Sequence, residues 1–161
     1  MAISKEKVLE DLKQKFSDNI LEITAQFGDD IICIKKEALL DIVNFLREEP
    51  YAFTMLLDLT CVDYMGEEER FEMVYHLFSL SNKLRLRFKT RLSEDDCKID
   101  SLTPIFKNAN WLEREAYDMF GVHFEGHPYL RRLFMYDGFE GHPLRKDYPL
   151  HKHQPKIPLR K

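Results

Sequence analysis

A chain of 161 residues, 44% hydrophobic and 32% charged, has the length for one domain with a sizeable core, which excludes a chain disordered throughout. Its formal net charge of −4 gives no overall argument for nucleic acid or an anionic membrane surface. No stretch approaches the ~18–20 consecutive apolar residues of a membrane-spanning helix.

The total charge hides an asymmetry. Residues 1–125 carry 16 Lys and Arg against 25 Asp and Glu, a charge of −9; from Gly126 onward the count is 8 against 3, or +5. An acidic body with a basic tail points to a partner for the tail. Cys33, Cys61 and Cys97 are odd in number, far apart and form no CxxC pair, which suits free thiols and gives no zinc or iron–sulfur framework. The first residues, Met1 to Lys7, lack the apolar run of a signal peptide.

Ser4 can cap a first helix, with Glu6 in its first turn and Val8, Leu9, Leu12 and Phe16 on one face; Asp18-Asn19 ends it. Leu21, Ile23, Ala25 and Phe27 alternate with polar residues, the period of a half-buried strand. Gly28-Asp29-Asp30 is the turn of a hairpin that returns over Ile31–Lys35. Leu39, Leu40, Val43 and Leu46 mark a second helix, stopped before Pro50.

Met55–Tyr64 is mostly apolar and suits a buried strand, and Gly66 with Glu67, Glu68 and Glu69 makes a solvated turn. Two further strands follow, Phe71–Leu80 and Leu84–Leu92. In the second, Arg85, Arg87, Lys89 and Arg91 share one face, either an anionic docking surface or the solvent face of an antiparallel sheet. Thr103-Pro104 reads as a helix start. Asn110 can cap the next helix in a capping-box spacing with Glu113. Leu112, Ala116, Met119 and Phe120 form that helix's core stripe, and Gly121 stands at its C-cap. The expected fold is α+β, with two to three helices packed on a mostly antiparallel sheet, over residues 1–124. No Gly-rich strand-to-helix turn announces a dinucleotide or P-loop site.

Beyond Phe124 the pattern changes. Pro128, Pro143, Pro149, Pro155 and Pro158 break helix and central strand, yet Tyr, Leu, Phe and Met are plentiful. Residues 125–161 are therefore expected as an extended arm that buries its apolar side chains on a partner, with a reach on the order of 100 Å. Arg145, between two prolines, is the expected polar anchor.

Glu113, Glu115 and Asp118 could be an acid–base or metal cluster, but side chains two apart on a helix diverge by about 200°. Asp118 is placed for an i,i+4 pair with Arg114. His127 and His142 occupy matching Glu-Gly-His-Pro tetrapeptides, read as turns whose imidazoles bond a backbone group or a partner carboxylate; zinc is the alternative. Arg131, Arg132, Arg145 and Lys146 interleave with Tyr129, Phe139 and Tyr148, a pattern of protein docking or of single-stranded nucleic acid binding; the acidic body favours docking.

Two blocks carry a family resemblance. The first is Glu113-Arg114-Glu115, Asp118, His127 and Arg131; the second is the uninterrupted Gly141–Pro149 run containing His142, Arg145, Lys146 and Tyr148. Together they resemble the C-type, or 30-kilodalton-type, subunit of proton-pumping NADH:quinone oxidoreductase, respiratory complex I. Phe134 departs from the smaller aliphatic expected there. The resemblance implies a peripheral-arm subunit with no catalytic residue or cofactor of its own. It supports electron transfer from NADH to quinone while FMN, iron–sulfur clusters and quinone sit on other subunits. It also implies contact with the D-type (49-kilodalton-type) subunit and, near the quinone cavity, the B-type subunit, at the cytoplasmic face of the bacterial inner membrane. The residues named in the two blocks, with Arg132, are the implied partner-binding set. Homologous subunits of membrane-bound hydrogenases and photosynthetic NDH-type complexes are the related alternative. A nucleic-acid-binding module and a zinc hydrolase are the alternatives of a different class.

Overall fold

The computed structural model describes residues 3–157; Met1 and Ala2 of the leader reading and Pro158 of the tail lie outside the described residues. Ser4 caps helix α1 (Lys5–Lys15) by accepting the Lys7 N–H, and Phe16 closes its C-terminus. Strands β1 (Ile20–Gln26) and β2 (Asp29–Ile34) form an antiparallel hairpin. A single 3-10 turn, Lys36–Ala38, leads into α2 (Leu39–Arg47). A three-strand meander follows: β3 (Met55–Asp63), β4 (Phe71–Ser79) and β5 (Leu84–Leu92). Last come β6 (Lys98–Asp100), α3 (Ala109–Phe120) and β7 (His123–Glu125).

The main sheet runs β1-β2-β5-β4-β3, and β2 pairs β5 in parallel. Hairpin and meander are thus joined edge to edge, which makes the sheet mixed with antiparallel pairs in the majority. One sheet face carries Ile32, Ile34, Phe71, Met73, Tyr75, Leu77, Leu86 and Phe88. All three helices pack there, through Val8 and Leu12, through Leu39, Ile42 and Leu46, and through Ala109 and Ala116. Burying that apolar face is the main force holding the body together. Among the described residues no helix is long and apolar enough to cross a membrane.

Three local expectations need correction. The alternation in β1 does not place Leu21 and Phe27 inside. A register shift between Ile20 and Glu22 turns Leu21 outward, and Phe27 is 98% exposed in the hairpin turn at φ 53. Strand β3 is an edge strand and not a doubly buried one; Met55, Leu57 and Val62 face out while Leu56, Leu59 and Cys61 face in. Thr103-Pro104 lies in a turn, and helix α3 begins at Ala109 with Asn108 as N-cap, so Asn110 is already inside it. The basic stripe of β5 takes the solvent-face reading: Arg87 meets Asp29, Lys89 and Arg91 both meet Glu72, and Arg85 is exposed.

The boundary at residues 124/125 is also crossed. Strand β7 spans it and pairs with β6, and the Ser101 N–H donates to the Glu125 carbonyl. From Gly126 the chain has no further helix or strand among the described residues, as its prolines require, but it does not leave the domain. It returns as a strap along α3.

Candidate functional site

Helix α3 is where the strap is fastened. Its last turn leaves carbonyls without intrahelical partners, as every helix end does. The Gly121 N–H takes Tyr117, the His142 ring Nδ1 takes Asp118 at 3.0 Å, the Leu144 N–H takes Met119 at 3.1 Å, and Arg145 Nε takes Phe120 at 2.6 Å. Gly121, at φ 81, allows this approach: a Cβ there would lie 2.7 Å from His142 Nε2 and 2.8 Å from Arg145 Nη2. Arg145 also places positive charge at the negative end of the helix.

On the same last turn, the Asp118 carboxylate is fully buried and crowded with donors. The N–H groups of Leu133, Phe134 and Met135 donate to Oδ2 at 3.0, 2.8 and 2.9 Å, and Arg132 Nη1 lies 2.7 Å from Oδ1. Burial alone would raise this acid; the three N–H groups and Arg132 outweigh it and hold the carboxyl below its usual range. The expected Arg114–Asp118 pair is not formed. Arg114 instead donates to the Arg131 and Arg132 carbonyls at 3.0 and 3.1 Å. Strap groups outcompete the neighbour on the helix.

Glu113 faces the other way. It accepts from Ser101 Oγ and the Leu102 N–H, both at 2.6 Å, so it fixes the turn before α3 and does not close a capping box with Asn110. Burial pushes its carboxyl up to about 7 despite those two donors. Glu115 is exposed. The three carboxylates therefore point in three directions and form no joint acid–base site.

His127 accepts the Tyr129 N–H at Nδ1 (3.0 Å) and so donates through Nε2 to the Asn110 carbonyl (3.2 Å), a turn-stabilising role. Burial pulls both His127 and His142 below the ordinary histidine value. Arg132 continues from Asp118 to the Gly141 carbonyl (3.0 Å), and Tyr148 stacks on Phe139 with ring centroids 6.1 Å apart. Lys146 contributes its backbone N–H, donated to Asp63 at 2.8 Å, while its side chain is exposed.

The second fastening point escaped the sequence. Arg70 is buried where β4 begins, bidentate to Asp63 at 2.8 Å on both arms, and also meets Glu94 (2.9 Å) and Asp147 (2.7 Å). Those carboxylates raise its already high pKa further, and Arg70 in turn holds Asp63 and Asp147 down. Arg145 joins through Glu94 at 3.1 Å. The visible signal was an acid and a base, Asp63 and Arg70, at the two ends of one hairpin turn, and an Asp within the Gly141–Pro149 run. Among the described residues no three His, Cys, Asp or Glu side chains converge as a metal site needs.

The protein-family model described as respiratory-chain NADH dehydrogenase, 30 Kd subunit, matches residues 32–154, which takes in most of the body's sheet, α3 and the strap. The chain belongs to this family. The NADH-quinone oxidoreductase C subunit of Trichlorobacter lovleyi is 49% identical over 145 residues, covering 89% of each chain. That of Citrifermentans bemidjiense is 48% identical over 139 residues, 86% of each. Among solved structures, the trypsin-resistant fragment (1-134) of Nqo5 superposes with a TM-score of 0.64 at 31% identity, covering 78% of this chain and 98% of that one. Membership in the 30-kilodalton family sets aside the nucleic-acid-binding and zinc-hydrolase readings. It also identifies the strap's α3 fastening, from Glu113 to Tyr148, as part of the region the family model spans.

Proposed function

We propose that this chain is a non-catalytic brace in the peripheral arm of NADH:quinone oxidoreductase, with the strap as its principal docking surface. The observation that carries the reading is the coincidence of the family match with a strap already held in shape by α3 and Arg70. A long, proline-interrupted segment fixed in advance meets a partner with less loss of chain entropy than a free arm would. Its inner polar groups are spent on the body. Its outer side presents Phe134, Leu144, Leu150 and Ile157 to solvent, together with Lys146 and Lys152.

The partners proposed are the 49-kilodalton-type (D-type) subunit first and the B-type subunit near it, with FMN, the iron–sulfur clusters and quinone held on other subunits and no catalytic residue on this chain. Burial pushes the Cys61 thiol far up and Cys97 to about 11, so neither is a ready thiolate ligand or nucleophile at neutral pH. A chain with no apolar spanning helix among its described residues would reach the membrane only through other subunits, on its cytoplasmic face.

The test is affinity purification of a tagged chain from solubilised membranes. Co-purification with flavin- and iron–sulfur-containing subunits and NADH:quinone activity is expected, with neither absorbance nor NADH oxidation from the chain alone. Recovery of the chain free of any such complex, or turnover by the isolated chain, would contradict the proposal.

A further inference from the structure

The chain's one tryptophan lies largely in solvent, next to a second exposed ring. Trp111, in the first turn of α3, is 59% exposed, and Tyr129 beside it on the strap is 51% exposed. Two guanidinium planes interleave with these rings. Arg114 lies 5.1 Å from the Trp111 ring and 5.6 Å from the Tyr129 ring, and Arg131 extends the ladder, 4.3 Å from the Tyr129 ring. The ladder is rigid at its base: His127 pins the Tyr129 backbone to the Asn110 carbonyl, and Arg114 holds the Arg131 and Arg132 carbonyls.

Its electrostatics are unbalanced. Arg70, Arg87, Arg91, Arg132 and Arg145 each meet a carboxylate; among the described residues Arg47, Arg85, Arg114 and Arg131 meet none, and of these four only Arg114 is buried. Arg114 is only 7% exposed, and its charge is met by carbonyl dipoles and ring faces alone. A buried cation without a counter-ion is costly and attracts one. Arg131 is exposed, and stacking on Tyr129 fixes its planar fork for bidentate capture of a carboxylate. Trp, Tyr and Arg are also the residue types that dominate interface energetics.

We propose that Trp111, Arg114, Tyr129 and Arg131 form a docking hot spot for a carboxylate-bearing segment of a neighbouring protein subunit. The partner's apolar atoms cover the Trp111 and Tyr129 rings, and its Asp or Glu closes on Arg131 and neutralises the pair. This rests on the reading of the chain as one component of a larger complex, and it names a site apart from the strap's Phe134–Ile157 side.

Trp111→Ala, Arg131→Glu and, as a control on the far helix, Lys13→Ala are placed in the gene, and the complex is isolated through a tag on another subunit. Retention of this chain after a salt wash is expected to fall at least fivefold for the first two and to stay at the wild-type level for Lys13→Ala. Wild-type retention of both hot-spot variants overturns the hot spot while leaving membership in the complex intact. Failure to retain the wild-type chain overturns the underlying reading instead. Hydroxyl-radical footprinting is independent of variant folding: Trp111 should be oxidised in the isolated chain and protected in the complex, and equal reactivity in both contradicts the proposal. Binding of the isolated chain to phosphatidylglycerol vesicles, lost in Arg131→Glu, would assign the ladder to a membrane surface and overturn the protein partner.

Discussion

The α+β body and the strap are stabilised by different forces. The body buries Leu, Ile, Val and Phe side chains from three helices and five strands in one apolar layer. After Phe124 no apolar strap side chain among the described residues is fully buried; Leu130 is the strap's contribution to that layer, while Leu133, Met135, Tyr136 and Phe139 are half-buried outside it. It is held instead by the carboxylate of Asp118, the end of α3 and the guanidinium of Arg70. Apolar burial is non-directional and stabilises many registers, whereas a carboxylate receiving three successive N–H groups accepts only one. The strap thus gains a fixed path at small cost in apolar surface, which remains free on its outer side.

The largest expected effect removes a buried residue that ties carboxylates of both regions together. Arg70→Met leaves the fully buried Asp63 side chain with the Lys146 N–H as its only remaining donor. A loss of about 3–5 kcal/mol is expected, because a buried charge stays behind uncompensated. Urea denaturation should show it, with body and strap both destabilised.

Asp118→Ala should separate the regions. Three N–H groups and Arg132 lose their acceptor, and the free energy of strap opening should fall by about 2–3 kcal/mol. Global melting of the body should move much less. If the two fell together, the strap would be part of one cooperative unit and the contrast would disappear.

Acid should push the regions in opposite directions. Glu113 titrates near 7 when folded and at 4.5 when unfolded, so folding takes up a proton between these values. The body therefore gains stability as pH falls from 7.5 to 5.5, by about 1–2 kcal/mol. His127 and His142 lie below the ordinary 6.5, so the unfolded strap protonates first and the docked strap loses stability as pH falls through 6.5. Urea melts and amide exchange at the two pH values check the signs; Glu113→Gln should abolish the body's gain alone.

The smallest effect concerns one Cβ. Gly121→Ala strains a left-handed residue and crowds His142 and Arg145, with about 1 kcal/mol from the backbone alone. Faster exchange at Leu144, whose N–H docks on Met119, is the readout.

Much of the body was legible because its periodicities are strong. α1, α2, β4 and β5 follow their apolar patterns closely, and Gly121 marks the end of α3 as a left-handed cap should. The errors arose where a local rule met a tertiary competitor. A bulge reversed Leu21; the edge position of β3 exposed alternate residues of an apolar run that reads as buried; strap carbonyls took Arg114 from Asp118. The arm's composition announced a segment without regular structure that packs on a protein surface. It could not say whose surface, because the receiving groups, Asp118 and Arg70, lie 14 to 77 residues away in sequence. Arg145, chosen as the anchor to a partner, is instead an anchor to the chain's own helix.

The central claim is that the strap is folded on its own body before any partner arrives. Amide exchange of Leu133, Phe134 and Met135 in the isolated full-length chain tests it directly, since all three N–H groups end on Asp118. Exchange slowed at least a hundredfold relative to an unstructured peptide, and restored to that rate in Asp118→Ala, is the result predicted. Exchange at the unstructured rate in the wild-type chain, with protection acquired only inside the complex, would contradict it.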